Sequence, residues 1–70
     1  MKWLDDLEIE EHPETVKNKY SGKECVLVPV AVAVYDLIMG CEVTKNWKLH
    51  AQALKYFRET WPAEYYILLD

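Results

Sequence analysis

Two histidines and two cysteines are the residues of this chain that could bind a metal ion: His12, His50, Cys25 and Cys41. They have the composition of a Cys₂His₂ zinc site, but such sites usually place about two to four residues between paired cysteines. The cysteines here lie sixteen positions apart, and the histidines are remote from them in sequence. This spacing argues against zinc, and we expect no metal and no cofactor.

The residues that could act as nucleophiles or acids do not form a catalytic set. A nucleophile needs a base and an orienting group within hydrogen-bond reach, and the only serine, Ser21, lies in a predicted glycine turn. Two pairs of carboxylates are adjacent in sequence: Asp5 with Asp6, and Glu10 with Glu11. Adjacent side chains diverge on a helix, so we expect these pairs to be solvated charges. The sequence predicts that the protein is not an enzyme.

The net charge of −4 is distributed unevenly. Residues 1–14 contain one lysine and six carboxylates, whereas residues 15–70 contain seven basic and six acidic side chains. An acidic segment of this kind could pair with a basic helix of the same chain, pair with a neighbouring chain, or mimic a polyanion. Its candidate contact residues are Asp5, Asp6, Glu8, Glu10 and Glu11.

A basic face is predicted in the second half of the chain. Residues 44–58 carry four basic side chains and no carboxylate: Lys45, Lys48, Lys55 and Arg58. Nucleic-acid binding requires a basic surface, and phosphate contacts dominate its affinity. The pI near 5.0 therefore argues against nucleic acid as the main partner. A small nucleic-acid-binding regulator that uses this face is kept as the second alternative.

The aromatic side chains are numerous for so small a chain. Each of the nine rings can bury about 150–250 Å², and a 70-residue domain has a small interior. Some rings should therefore lie at the surface, where Trp and Tyr dominate binding energetics. The candidates are Trp47, Trp61, Tyr65 and Tyr66. We predict a non-enzymatic module that binds another protein and modulates it; the alternative is a homo-oligomeric structural or accessory protein.

One domain, residues 1–70, has to position all of these side chains, and its central stretch is apolar. Valines alternate over 26–34, but Pro29 would remove a hydrogen bond from a continuous strand. Proline suits the first position of a helix, and the apolar run of eleven residues is too short to span a membrane. We predict a helix over 29–40 closed by Gly40, with a strand as the alternative. Because only Asp36 on this helix suits water, it should need cover from an oligomer or a partner.

The flanking elements follow from capping and breaking residues. Asn46 is a good N-cap, and apolar residues at helical spacing predict a helix over 46–60 with this stripe: Trp47, Ala51, Leu54, Phe57 and Trp61, widened by Leu49, Ala53 and Tyr56. Pro62 ends that helix and begins a short one over 62–69, for which a strand over 65–69 is the alternative.

Upstream, Pro13 stops any helix by residue 11. A turn at Ser21-Gly22 predicts either a hairpin over about 16–28 or a single strand. The fold class is thus mainly α, with a small α+β arrangement as the variant.

Two blocks and a short link resemble a known pattern: Ala31–Glu42 (AVAVYDLIMGCE), Tyr56–Arg58 (YFR) and Trp61–Asp70 (WPAEYYILLD). Small uncharacterised proteins of tailed bacteriophages pair a VAxYDxIxGxE helix with a closing FxxxxPxEYxxLLD, and residues 22–70 are similar to them. That family has no assigned activity, so the resemblance implies a phage product in a bacterial host and no mechanism. It favours helices for both blocks.

The N-terminus predicts the compartment. It becomes acidic at Asp5 without an apolar leader, which indicates a cytoplasmic protein with two reduced thiols. In a phage setting, that compartment is the cytoplasm of the bacterial host.

Overall fold

The computed structural model describes residues 2–7, 9, 11–18 and 20–69, and it is mainly helical with one small antiparallel hairpin, as predicted. The elements in chain order are α1 (Lys2–Asp5), β1 (Glu14–Lys17), β2 (Glu24–Leu27), α2 (Pro29–Thr44), α3 (Trp47–Thr60) and α4 (Pro62–Leu68). The two long helices, α2 and α3, pack on each other. The short α4 packs against both α3 and β2, so it joins the helices to the hairpin.

The hairpin contains two strands, which decides between the alternatives that the sequence left open. β1 and β2 pair antiparallel over all four residues of each strand. β1 begins at Glu14, two residues before the predicted start of the hairpin at Val16. Val16 is the one half-buried side chain of this strand. The polar composition of β1 therefore did not indicate a strand. The turn is closed by the Asn18 N–H, which donates to the Lys23 carbonyl at 2.8 Å, and Gly22 supplies a φ of +77° without steric cost.

α2 confirms the predicted helix but corrects its end. Pro29 occupies the first helical turn, as expected. The prediction that Gly40 closes the helix is wrong, because α2 continues for another turn and thereby buries Cys41. The helix ends where Lys45 adopts the left-handed conformation, with φ 60° and ψ 30°. The following N–H, that of Asn46, then donates to the Cys41 carbonyl at 3.0 Å, which is the bond of a Schellman motif.

α3 begins as predicted and faces the core with most of the predicted apolar residues, but not with the first two of the stripe. The Asn46 side chain accepts a hydrogen bond from the Leu49 N–H at 3.4 Å. Ala53 and Phe57 are fully buried, whereas the first part of the predicted stripe is exposed: Trp47 and Ala51. Apolar residues flank this stripe on one side, so the periodicity gave the width of the apolar arc but misplaced its centre.

α4 is a helix, which excludes the alternative strand over 65–69. Pro62 begins it, and Trp61 separates it from α3. The Trp61 N–H donates to the Phe57 carbonyl at 2.8 Å, and the Trp61 carbonyl accepts from the Tyr65 N–H at 2.9 Å. One residue therefore ends one helix and starts the next, and the bend brings Leu68 into the core.

The core is built from the hairpin and the three longer helices: Leu27, Ala31, Val32, Val34, Ile38, Ala53, Phe57 and Leu68. Four consecutive residues of α2, Ala31 to Val34, are all buried. Consecutive residues point to different sides of a helix, so the chain itself surrounds α2 at this level. The chain itself therefore covers this part of α2, and cover of the helix by an oligomer or a partner stays a prediction.

The acidic N-terminal segment is attached to this core by apolar side chains. Trp3, Leu4 and Leu7 pack against the core, and the Trp3 ring meets the Tyr56 ring edge-on at 5.7 Å between centroids. The Trp3 indole N–H is buried without a hydrogen-bond partner. Trp3 therefore holds α1 on the core through ring and aliphatic contacts and not through a hydrogen bond of its indole N–H.

Candidate partner-binding surface

The residues considered for metal binding and catalysis lie in separate places. Within the described ranges, no group of three or more His, Cys, Asp or Glu side chains could hold a metal ion. Cys41 is a buried free thiol, and His12 is exposed. The Ser21 hydroxyl accepts a hydrogen bond from the Lys23 N–H at 3.2 Å, so it is part of the hairpin turn.

Cys25 is a half-buried free thiol on β2. Burial, and secondarily the carboxylate of Glu64 on α4, raise the pKa of this thiol above its ordinary value of 9.0. Because the thiolate is the reactive form, a raised pKa makes Cys25 a poor nucleophile at neutral pH. Its environment suits packing between the hairpin and α4.

The four aromatic residues proposed as partner contacts fall into two pairs. Trp61 and Tyr65 are half-buried, and the Trp61 ring centroid lies 5.3 Å from that of Phe57. These two side chains therefore contribute to the edge of the core. Trp47 and Tyr66, by contrast, expose 57% and 70% of their surface.

The α2–α3 turn presents exposed apolar side chains next to a half-buried histidine. We call Val43, Trp47 and His50 the turn surface. Val43 is 83% exposed, and the Trp47 ring lies edge-on to the His50 ring at 5.3 Å between centroids. The left-handed residue that ends α2 and the Asn46 cap of α3 fix the backbone on both sides. A rigid backbone lowers the entropy lost on binding, which favours this turn as a contact.

Glu42 connects the turn surface to a cleft on the neighbouring side of α2. The His50 Nε2 lies 4.0 Å from the Glu42 Oε1, which is the outer limit of an ion pair and is one only when the imidazole is protonated. Glu42 also lines a cleft of about 270 Å³ between the hairpin turn and the ends of α2 and α4. The residues around it are Asn18, Tyr20, Tyr35, Met39, Glu42, Leu68 and Leu69.

The acidic candidates lie on the surface where they are described. Asp5, Asp6 and Glu11 are exposed, whereas Glu8 and Glu10 lie outside the described residues. Among the side chains that the structure describes, none of these carboxylates forms an ion pair with a lysine or arginine. In the described ranges, these carboxylates are therefore exposed and not paired with the basic helix.

The basic face is also exposed: Lys45, Lys48, Lys55 and Arg58. It is interrupted by an acidic residue, because Glu59 and Lys55 line one shallow hollow of about 290 Å³. A carboxylate inside a basic face lowers its attraction for phosphates.

Asn18 and the cleft are features that sequence reasoning missed. The Asn18 Nδ2 donates to the Ile67 and Leu68 carbonyls at 2.9 and 3.4 Å, across 49 and 50 positions of sequence. Its Oδ1 accepts from the N–H groups of Tyr20 and Ser21 at 2.8 and 3.1 Å. An asparagine four residues before a glycine is a local signal for the turn, but no local signal indicates the contact with α4.

Comparison of the chain with protein-family models, with curated protein sequences and with solved structures gives no match. Of the helices in the described ranges, none has the length and apolar character needed to cross a membrane. The chemistry of the exposed residues is therefore the basis on which a function can be proposed.

Proposed function

We propose that this protein is a small non-enzymatic binding module and that the turn surface is its main contact with another protein. The observation that carries the proposal is the exposure of Val43 and Trp47 on a capped, well-defined turn. Trp is among the residues that contribute most to binding when an interface covers them. In a single chain, the same ring and aliphatic side chain remain in water, which is the unfavourable state for apolar surface.

The acidic N-terminal segment gives this module an electrostatic preference. Its described carboxylates, Asp5, Asp6 and Glu11, are exposed. Exposed charges of one sign steer a partner of the opposite sign and mainly raise the association rate. The proposed partner is therefore a protein that has an apolar contact for Trp47 and, separately, basic groups that face the acidic segment.

The proposed setting follows the resemblance of residues 22–70 to small tailed-phage proteins. In that setting the chain acts in the cytoplasm of a bacterial host, where it binds a host or phage protein and modulates it. A homo-oligomer that covers the turn surface with a second copy is the alternative function.

Capture of partners from a bacterial lysate on the immobilised protein tests the proposal. A bound protein should be recovered on the native chain and lost on Trp47→Ala. Tyr66→Ala is the matched control, because Tyr66 is comparably exposed but lies on α4. Equal recovery on the two variants would show that the turn surface is not the contact.

The acidic segment is tested separately by the double change Asp5→Asn and Asp6→Asn. We expect slower capture at low salt and little change at high salt, because salt screens exposed charges. Light scattering on the purified native chain gives the mass in solution. A defined oligomer whose formation needs Trp47 would favour the homo-oligomeric alternative over the proposal.

A further inference from the structure

The cleft is formed by three parts of the fold that meet at one end of the molecule. Asn18 and Tyr20 come from the hairpin turn, Tyr35, Met39 and Glu42 from α2, and Leu68 and Leu69 from the end of α4. The Asn18 side chain joins two of these parts through its bonds to the α4 carbonyls. The cleft is therefore a fixed consequence of how the hairpin docks on α4.

The electrostatics of this cleft favour a cation. Glu42 contributes a carboxylate whose side chain is 44% exposed. Glu42 lies in the last turn of α2, at the negative end of the helix dipole, whereas the carbonyls at the end of α4 already accept from Asn18. The side-chain N–H groups of Asn18 donate to backbone carbonyls and are not directed to a ligand. A ligand that only donates hydrogen bonds matches these groups better than an anion.

Two tyrosines add a second kind of attraction. Tyr20 and Tyr35 both line the cleft; the Tyr35 ring is also tilted against the Phe57 ring at 6.4 Å between centroids, and the Tyr20 side chain is 88% exposed. Aromatic faces attract ammonium and guanidinium groups within about 6 Å of the ring centre. Met39, Leu68 and Leu69 provide apolar surface for a methylene stem. Carboxylate, rings and apolar walls together are the surroundings that a long basic side chain prefers.

We propose that the cleft binds a basic side chain of the partner protein, with arginine preferred over lysine. This inference rests on the proposed function, because it supplies the chemistry of the partner that the turn surface binds. Arginine is preferred since its planar guanidinium stacks on rings while donating to a carboxylate. The volume of about 270 Å³ is below the usual range of roughly 300–1,000 Å³ for small-molecule sites, and this size fits a single side chain.

The cleft is continuous with the turn surface. Glu42 lines the cleft and lies 4.0 Å from His50, whose ring contacts that of Trp47. One partner can therefore cover Trp47 with an apolar group and place a basic side chain in the cleft. The apolar contact and the charged contact would then belong to one interface.

A titration of the full chain followed by amide chemical shifts tests this inference. The probe is the blocked tripeptide acetyl-Gly-Arg-Gly-amide, and its control is the uncharged citrulline analogue of the same shape. We expect the arginine peptide to shift the amides of Tyr20, Tyr35, Met39 and Glu42, and the citrulline peptide to shift them far less. Equal shifts with both peptides, or no shifts at these four amides, would overturn the proposal.

Variants assign the binding to named groups. Glu42→Gln should weaken binding of the arginine peptide about fivefold, as expected for loss of an exposed charge pair. Tyr20→Leu, which keeps apolar surface and removes the ring, should weaken it about two- to fivefold. Glu59→Gln is the matched control, because Glu59 is an exposed carboxylate on α3 outside the cleft. Equal effects of Glu42→Gln and Glu59→Gln would mean that only net charge matters, which contradicts a specific site.

The same variants separate this inference from the proposed function. If Trp47→Ala abolishes capture of a partner while Glu42→Gln leaves capture unchanged, the cleft proposal fails and the binding function stands. If Trp47→Ala also leaves capture unchanged, the turn surface is not the contact and the proposed function fails on its own test.

Discussion

Asn18 uses all of its side-chain hydrogen-bonding capacity, with partners in two parts of the fold. An asparagine side chain offers two N–H donors and an oxygen that can accept two bonds. Here the donors bind the end of α4 and the oxygen binds the hairpin turn. A buried polar side chain that is fully satisfied fixes one arrangement of its surroundings. At the residue scale, Asn18 therefore determines where the hairpin and α4 meet and thus the shape of the cleft.

Removing the Asn18 side chain should destabilise the fold. Asn18→Ala is expected to lower the free energy of unfolding by about 1–3 kcal/mol, because buried turn and α4 groups lose their partners. Asn18→Asp should be destabilised as well, since a carboxylate cannot donate to the two α4 carbonyls. Urea unfolding measures both changes. The control is Asn46→Ala, which removes an exposed helix cap and should cost about 1 kcal/mol or less. If Asn18→Ala lowers the free energy of unfolding by no more than Asn46→Ala does, the role of Asn18 is refuted.

Cys25 should react slowly with alkylating reagents, and Glu64 should be part of the reason. Glu64→Gln removes the smaller of the two causes that raise the Cys25 pKa, so native-state alkylation at pH 8 should accelerate about two- to threefold. Mass spectrometry of the Cys25 peptide measures the rate, with Glu59→Gln as the control. Identical rates in the two variants would contradict the contribution of Glu64.

The same pKa shift gives stability a definite pH dependence. A raised pKa means that the folded state binds the thiol proton more tightly than the unfolded state does. The corresponding stabilisation is fully present below the ordinary thiol pKa of 9.0 and is lost as the pH rises through the higher folded-state value. Urea unfolding should therefore show native stability falling above about pH 9 by more than in Cys25→Ala.

At the element scale, local sequence signals predicted where the helices begin, but they did not predict which segments pair as strands. Pro29, Asn46 and Pro62 act through their own backbone or the next turn, so the starts of three helices could be read from the sequence. β1 exists because it pairs with β2, and its exposed polar side chains carry no sign of that pairing. The predicted helix end at Gly40 was wrong because glycine suits a helix end but is also tolerated at an exposed position inside a helix, at a cost of about 1 kcal/mol.

Moving the glycine to the true end of α2 should stabilise the protein. Gly40→Ala should raise the free energy of unfolding by about 0.5–1 kcal/mol, because the added Cβ meets no atom within 4 Å beyond its chain neighbours and the nearby backbone of the helix, and alanine favours helix. Lys45→Gly should raise it by about 1 kcal/mol, since Lys45 adopts the left-handed conformation. Thermal and urea unfolding check both changes. Gly22→Ala is the control with the opposite sign, because Gly22 has a φ of +77°; a destabilised Gly40→Ala would contradict this reading of α2.

At the scale of the whole molecule, the apolar surface that we propose a partner covers lies at the α2–α3 turn and includes Val43 from the last turn of α2. α3 and β2 pack on α2, and Leu68 of α4 belongs to the same core, whereas Val43 and Trp47 are exposed. Composition indicated that some rings had to be exposed. It could not indicate that Trp47 would be exposed while Trp61 packs on Phe57, because that depends on how α3 is rotated about its axis, or that Tyr66 would be exposed, because that depends on how α4 packs. The cleft depends on contacts across about 50 positions, which no local pattern encodes.

Site-directed photo-crosslinking in bacterial cells tests the proposed contact most directly. A benzophenone amino acid replaces Val43 on the turn surface or, as the control, Gln52 on the exposed side of α3. We predict that the Val43 derivative crosslinks to a different protein, giving a product whose mass differs from twice that of the 8.3 kDa chain, and that the Gln52 derivative gives none. A product at twice the chain mass, equal products from both positions, or no product from Val43 would contradict binding of another protein through the turn surface.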